Sequence, residues 1–209
     1  MVSLADLPNT IPIMEVAEFT LYPRSAVMFA IVRPTDIPLF ERVSTTEQGV
    51  IGVIQPRDSK GTLYSVGCAA QIEGVDVQND NVHSACLMGF SRFRLVRRIS
   101  GFEPFSQAEV KWAEFAGDLE PESGCGMSDK AQFVELANRH FSAAGMAGFC
   151  NDFADSDDEL LINFVAMHGK FSAADRQALL ETRSLDERRA ALVALMQISG
   201  VEGGSQRLQ

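Results

Sequence analysis

Apolar residues in the first half of the chain gather in short runs, Ala26 to Val32, Val50 to Ile54 and Leu63 to Val77. These runs are rich in Val, Ile and aromatics and are broken by Pro, Gly and Asn, which predicts strands. Tyr64 to Val77 and Val82 to Ile99 read as one long hairpin, joined at Gln78-Asn79-Asp80-Asn81, where Asn and Asp tolerate turn backbone angles. Strand alternation is lost after Pro34. There Ile37, Leu39, Phe40 and Val43 predict a short helix running to Gln48 and stopped by Gly49. Ala108 to Trp112 suggests a last strand. Roughly five or six twisted strands in a segment of this length are expected to curl into a barrel-like sheet, which removes exposed edges.

The second half changes period. Ser156 to Glu159, Ser172 to Asp175 and Ser184 to Glu187 each have capping-box spacing, in which a hydroxyl and a carboxylate satisfy opposing backbone amides at a helix start. Behind them Leu160, Leu161, Phe164, Val165 and His168 recur at helical spacing, as do Leu185, Leu192, Leu195 and Met196. A further helix is predicted over Lys130 to Ala144, with Phe133, Leu136, Ala137, His140 and Phe141 on one side. Between the halves, Gly117, Pro121, Gly124 and Gly126 interrupt any apolar period. The expected organisation is an α+β chain: a β subdomain over 1–116, a linker over 117–128, a helical bundle over 129–200 and a disordered tail over 201–209.

Charge and composition narrow the function classes. The 209 residues hold 18 basic and 28 acidic side chains, a net charge of −10, and 46% hydrophobic residues, which suits a globular chain with one large core or two small ones. The longest apolar run is far shorter than the roughly 20 residues that cross a bilayer as helix, so no membrane association is expected. Met1 to Asp6 lacks a basic segment followed by an apolar stretch, which points to the cytoplasm. Cys68, Cys86, Cys125 and Cys150 form no close pairs of the kind that zinc sites or redox dithiols use. The first two and Cys150 read as small buried hydrophobes, and Cys125, between two glycines, as a loop thiol.

Motifs for catalysis are not found. Gly169-Lys170 is followed by Phe171, so it lacks both a phosphate-cradling loop and a magnesium-ligating hydroxyl. Gly89-Phe90-Ser91-Arg92-Phe93 comes nearest to a nucleophile elbow, but phenylalanine stands where the tight turn needs glycine, and the segment lies in a predicted strand. His83, His140 and His168 have no metal-ligand spacing and read as packed side chains. Asp152, Asp155, Asp157, Asp158 and Glu159 lack the loop glycine of a calcium site and read as acids at a helix start. No cofactor, metal or catalytic residue is therefore assigned. Arg92, Arg94, Arg97 and Arg98 form one basic cluster along a strand. With the whole chain at −10, it reads as a solvated face with carboxylate partners rather than a nucleic-acid contact.

The order of segments resembles the N-terminal, substrate-binding domain of Lon proteases, the LON domain, in the stand-alone form carried by some bacteria. Carrying the resemblance are Ile11-Pro12-Ile13 with Phe19-Thr20-Leu21-Tyr22-Pro23, Ile51 to Arg57, Tyr64 to Ile72, Leu87 to Arg94, and Asp175 to Glu181 with Leu185 and Arg188. The usual glycine after the second proline is Arg24 here. The resemblance implies a PUA-like β pseudobarrel followed by a C-terminal helical bundle. It further implies a polypeptide-binding module without ATPase or Ser-Lys peptidase motifs, so not an enzyme. Implied partners are unfolded or apolar polypeptide segments and a Lon-type protease. With 14 Phe and 8 Met the chain has adaptable apolar side chains for such work, and Met146, Phe149 and Phe153 are the contacts chosen. RNA binding through the arginine cluster is the alternative; a peptidase using Ser91 ranks last.

Overall fold

A computed structural model describes residues 4–31, 36–44, 46, 49–78, 82–99, 105–120, 126–148, 150–153 and 155–205. The chain divides into two compact units, Met1–Pro121 and Glu122–Gln209. The first contains strands β1 (Thr10–Glu15), β2 (Ala26–Ile31), β3 (Val50–Ile54), β4 (Val66–Gln78), β5 (Val82–Ile99) and β6 (Gln107–Lys111), with helix α1 (Ile37–Ser44) after β2. The second contains α2 (Lys130–Ala143), α3 (Asp158–His168), α4 (Ala173–Glu181) and α5 (Leu185–Ser205). The fold class is α+β, as the sequence predicts. No helix among the described residues is long and apolar enough to cross a membrane.

The strand order is β2-β5-β4-β3-β1-β6, and β6 also pairs with β5. Hydrogen bonding therefore passes from β5 through β4, β3, β1 and β6 and returns to β5, closing a ring of five strands. All pairs are antiparallel except β1 with β3. Arg94 of β5 faces Val66 of β4 and Lys111 of β6 at once, so β4 and β6 lie on opposite edges of β5. β2 takes the remaining length of the β6 edge, Ala26 facing Met88 and Ile31 facing His83. The antiparallel β4–β5 pairing of the long hairpin is present as predicted, with bulges near Ala69 and Ile72, while its expected turn residues 79–81 lie outside the described residues.

Inside the ring, Ile11, Ile13, Val50, Ile54, Phe93 and Trp112 belong to one core cluster. Phe93 stands edge-on to Trp112, ring centres 6.0 Å apart. Its ring lies over two glycines. A Cβ at Gly67 would come within 2.5 Å of Phe93 Cζ and 2.6 Å of the Val53 carbonyl, and one at Gly52 within 3.0 Å of the same ring. The glycines of the Ile51 to Arg57 and Tyr64 to Ile72 motifs are thus the floor on which an aromatic ring rests.

Arg24, where the resemblance expects glycine, has φ +59°. A side chain in the left-handed region costs roughly 1–2 kcal/mol, and here it is offset locally. The Arg24 N–H donates to the Gly89 carbonyl at 2.7 Å, and its guanidinium donates to the carbonyls of Asp118 and Glu120.

Several expectations need correction. α1 stops at Ser44, short of Gln48; the Thr46 hydroxyl and N–H both turn back to the Val43 carbonyl. The segment Ala113–Leu119 is a 3-10 turn that runs into the expected linker. α5 continues to Ser205 through part of the expected tail, since extending an established helix costs far less than starting one. Ser156 does not cap α3. Asp157, one residue later, accepts from the Glu159 N–H, while the Ser156 hydroxyl donates to the Phe153 carbonyl. The other two capping serines do act: Ser172 accepts from Asp175 N–H and Ser184 from Glu187 N–H, both at 3.1 Å. On α3 the buried face holds Leu161, Ile162, Val165 and Ala166, and Leu160, expected inside, is 38% exposed.

Candidate functional site

Cys68 and Cys150 are buried, and Cys86 is half-buried instead of fully buried. Burial pushes the Cys150 thiol up to about 11, which suppresses the reactive thiolate. Cys125 lies outside the described residues, as does the side chain of His83. Ser91 is wholly buried in β5, and its hydroxyl donates to the Arg92 carbonyl at 3.0 Å.

Carboxylates meet all four arginines of the basic cluster. Arg92 holds Asp118 through Nε at 2.9 Å and Nη2 at 2.7 Å, and its backbone N–H donates to the same carboxylate at 2.8 Å. Its guanidinium also lies 4.7 Å from the centre of the Phe115 ring. Arg94 pairs with Glu114, Arg97 with Glu109 and Arg98 with Glu15. The positive charge is neutralised within the first unit, so little of it is left to attract phosphates.

In the second unit, Met146 and Phe153 lie half-buried between α2 and α3, and Phe149 lies outside the described residues. Phe153 stacks on Phe164 with ring centres 3.8 Å apart, and Phe164 lies 4.6 Å from His168. One face of Phe153 is therefore committed to packing. The Met146 N–H donates to the Phe141 carbonyl at 2.8 Å and closes the end of α2, where Gly145 supplies φ +84°.

His140 joins this region to the start of α4. Its ring stacks on Phe171 at 5.0 Å, and its Nε2 accepts the Lys170 N–H at 3.2 Å. Burial lowers its pKa below 6.5; His168 is lowered by burial and then by the Arg176 charge. With the folded pKa below the unfolded one, the native state binds fewer protons, so stability is complete above about 6.5 and is lost as pH falls through the folded values. Protonation also turns Nε2 into a donor facing another donor. We expect the thermal midpoint to fall on acidification below about pH 6.5, and His140→Gln, which keeps an acceptor, to flatten that fall. A profile identical in the two proteins would refute the assignment.

The first unit offers two surface features, one of mixed polarity and one apolar. One is a cleft of about 560 Å³ lined by Pro8, Ile11, Pro12, Val43, Val50 and Phe105, with Arg42, Thr10, Thr46 and Gln107 at its polar positions. The other is β2. Its sequence, AVMFAI, has no charge, Met28 is 61% exposed, and Ala26 and Ala30 are exposed beside it. Phe29 is half-buried against Phe19, ring centres 6.4 Å apart. Among the described residues β2 is bonded to β5 alone. Gly89 N–H donates to the Ser25 carbonyl at 2.9 Å, which fixes the parity of the pairing. Val27, Phe29 and Ile31 then bond to β5, and the N–H and C=O groups of Ala26, Met28 and Ala30 point away from it. Sequence reasoning identified this run as a strand but missed the edge. The available signal was that its exposed positions alternate among residues that are all apolar.

A family model described as the ATP-dependent protease La (LON) substrate-binding domain matches residues 10–197. Lon protease 2 of Sorangium cellulosum is 26% identical over 199 residues, covering 90% of this chain and 24% of that protein. Lon protease 2 of Thermus thermophilus is 24% identical, covering 91% and 24%. The chain thus spans about a quarter of the length of these curated relatives. Among solved structures, a Lon N-terminal domain protein from Xanthomonas campestris has a TM-score of 0.63 at 20% identity, over 88% of this chain and 97% of that one. The N-terminal domain of Mycobacterium avium complex Lon protease has a TM-score of 0.60 at 18% identity, over 90% and 98%.

Proposed function

Because the chain belongs to the LON substrate-binding domain family, we propose that it is a non-catalytic recognition module that holds exposed apolar segments of non-native polypeptides. It acts as an adaptor or chaperone-like binder in the cytoplasm, alongside a Lon-type protease. The observation that carries this reading is the family match, which runs through both units. The uncharged, partly exposed β2 supports it, as does the buried position of Ser91. Met146, Phe149 and Phe153 remain proposed contacts in the second unit. The RNA-binding alternative loses its contact set, since each arginine of the cluster already holds a carboxylate.

Reduced, carbamidomethylated lysozyme is a suitable probe, because it stays unfolded and its basic charge complements a chain of net −10. Titration of the full chain into the fluorescently labelled probe is expected to give a saturable rise in polarisation with micromolar affinity. A flat trace at high micromolar protein would overturn the proposal.

A further inference from the structure

The bonding parity of β2 leaves a row of outward backbone groups along its edge with no hydrogen bond among the described residues. We propose that this edge binds an extended, neutral or basic apolar polypeptide segment by strand addition, so that the segment becomes a further strand beside β2. This inference rests on the reading of the chain as a polypeptide-recognition module, and it names the place and the mode of recognition.

Backbone amides and carbonyls are obligatory hydrogen-bonding groups. At Ala26, Met28 and Ala30 they face away from β5, and no hydrogen bond among the described residues reaches them. Only a chain in extended conformation can satisfy such a row in register, which is how exposed sheet edges recruit peptides. Side chains alternate across the added strand: a guest residue beside Met28 meets an exposed thioether, and its neighbour on the other face meets the Phe29–Phe19 pair. Met adapts to many shapes, so the arrangement selects for extended apolar character rather than for one sequence.

Charge chooses between possible occupants. β2 has no Asp, Glu, Lys or Arg, and neither does the stretch of β5 paired with it, from His83 to Met88. Both strands belong to a chain of net −10. A second copy brings the same excess of negative charge to the same edge and is repelled, whereas a neutral or basic segment is attracted. The contrast with β4 supports this. Beyond its pairing with β3, β4 has Glu73 and Asp76 in its sequence, and acids at a sheet edge discourage pairing.

Met28→Pro tests the proposal on the full chain. The Met28 N–H is not used in the β5 ladder, so proline removes an outward donor and places its ring across the edge while the fold is retained. Met28→Lys leaves the backbone intact and adds a charge, which guards against misfolding of the first variant. The probe is a short labelled peptide alternating valine and threonine between terminal lysines, compared with the same peptide N-methylated on alternate residues. Wild-type protein is expected to bind the first peptide at least about tenfold more tightly than the second, the scale set by losing two or so hydrogen bonds. Both variants should lose affinity for the unmethylated peptide by a similar factor, with unchanged circular dichroism. Equal binding of the two peptides, or full binding by Met28→Pro, would overturn strand addition. If unfolded lysozyme still binds in that case, the recognition reading stands and only this mode fails; if it does not bind wild type, the recognition reading fails. Concentration-dependent dimerisation of the protein abolished by Met28→Pro would give the edge to a second copy, and so would overturn the proposed occupant.

Discussion

Asp118→Ala is expected to lower the unfolding free energy of the first unit by about 3–5 kcal/mol, the range for removing one partner of a buried ion pair. Arg92 is only 6% exposed, and Asp118 accepts from its backbone N–H, its Nε and its Nη2. Removing the carboxylate leaves those donors and a full charge in a site that water scarcely reaches. The 3-10 turn Ala113–Leu119 would also lose its attachment to β5, since both Asp118 and Phe115 meet the same guanidinium. Urea titration measures the loss. The double substitution Arg92→Met with Asp118→Leu should recover part of it, because replacing both charges removes the desolvation penalty along with the attraction, while the backbone N–H of residue 92 still loses its acceptor. A loss below about 1 kcal/mol for Asp118→Ala would place this pair with exposed bridges, and the packing account of it would be wrong.

Phe93→Ala should cost a similar amount, about 3–5 kcal/mol, for loss of a buried aromatic and the cavity it leaves. Gly67→Ala should cost about 1–3 kcal/mol by overpacking, because its methyl would press on both the Phe93 ring and the Val53 carbonyl. The two substitutions relieve one another. With the ring gone, the added methyl fills part of the cavity, so the double variant should be more stable than the sum of the single effects predicts. The relief is incomplete, since the Val53 carbonyl stays where it is. Strict additivity in chemical denaturation would show that the ring does not rest on Gly67.

Local order was readable in the sequence. The β4–β5 hairpin, the helix starts at Ser172 and Ser184 and the buried face of α2 all follow from spacing between near neighbours. Ring closure was expected only in general terms, since the pairings of β1 with β3 and β6 join residues far apart, and no local period encodes them. Ser156 lost the α3 cap to Asp157 because two good capping residues stood side by side, which spacing cannot decide. That one-residue shift is consistent with Leu160 lying outside. β2 was legible as a strand but not as an edge. An unbroken apolar run ordinarily means burial on both faces, and here Met28 is largely exposed. Arginine neutralisation was anticipated from net charge, but its particular carboxylates, drawn from β1, β6 and the turn after β6, needed the fold.

The pairing of Thr10 with Glu109 has a consequence for how this molecule is made. The last strand β1 needs follows roughly a hundred residues behind it, which at about 5–20 residues per second is a wait of roughly 5–20 s. Throughout that interval Ile11, Ile13 and Met14, all buried at the end, have no complete home. Slower translation would lengthen the time for which these apolar side chains stay uncovered.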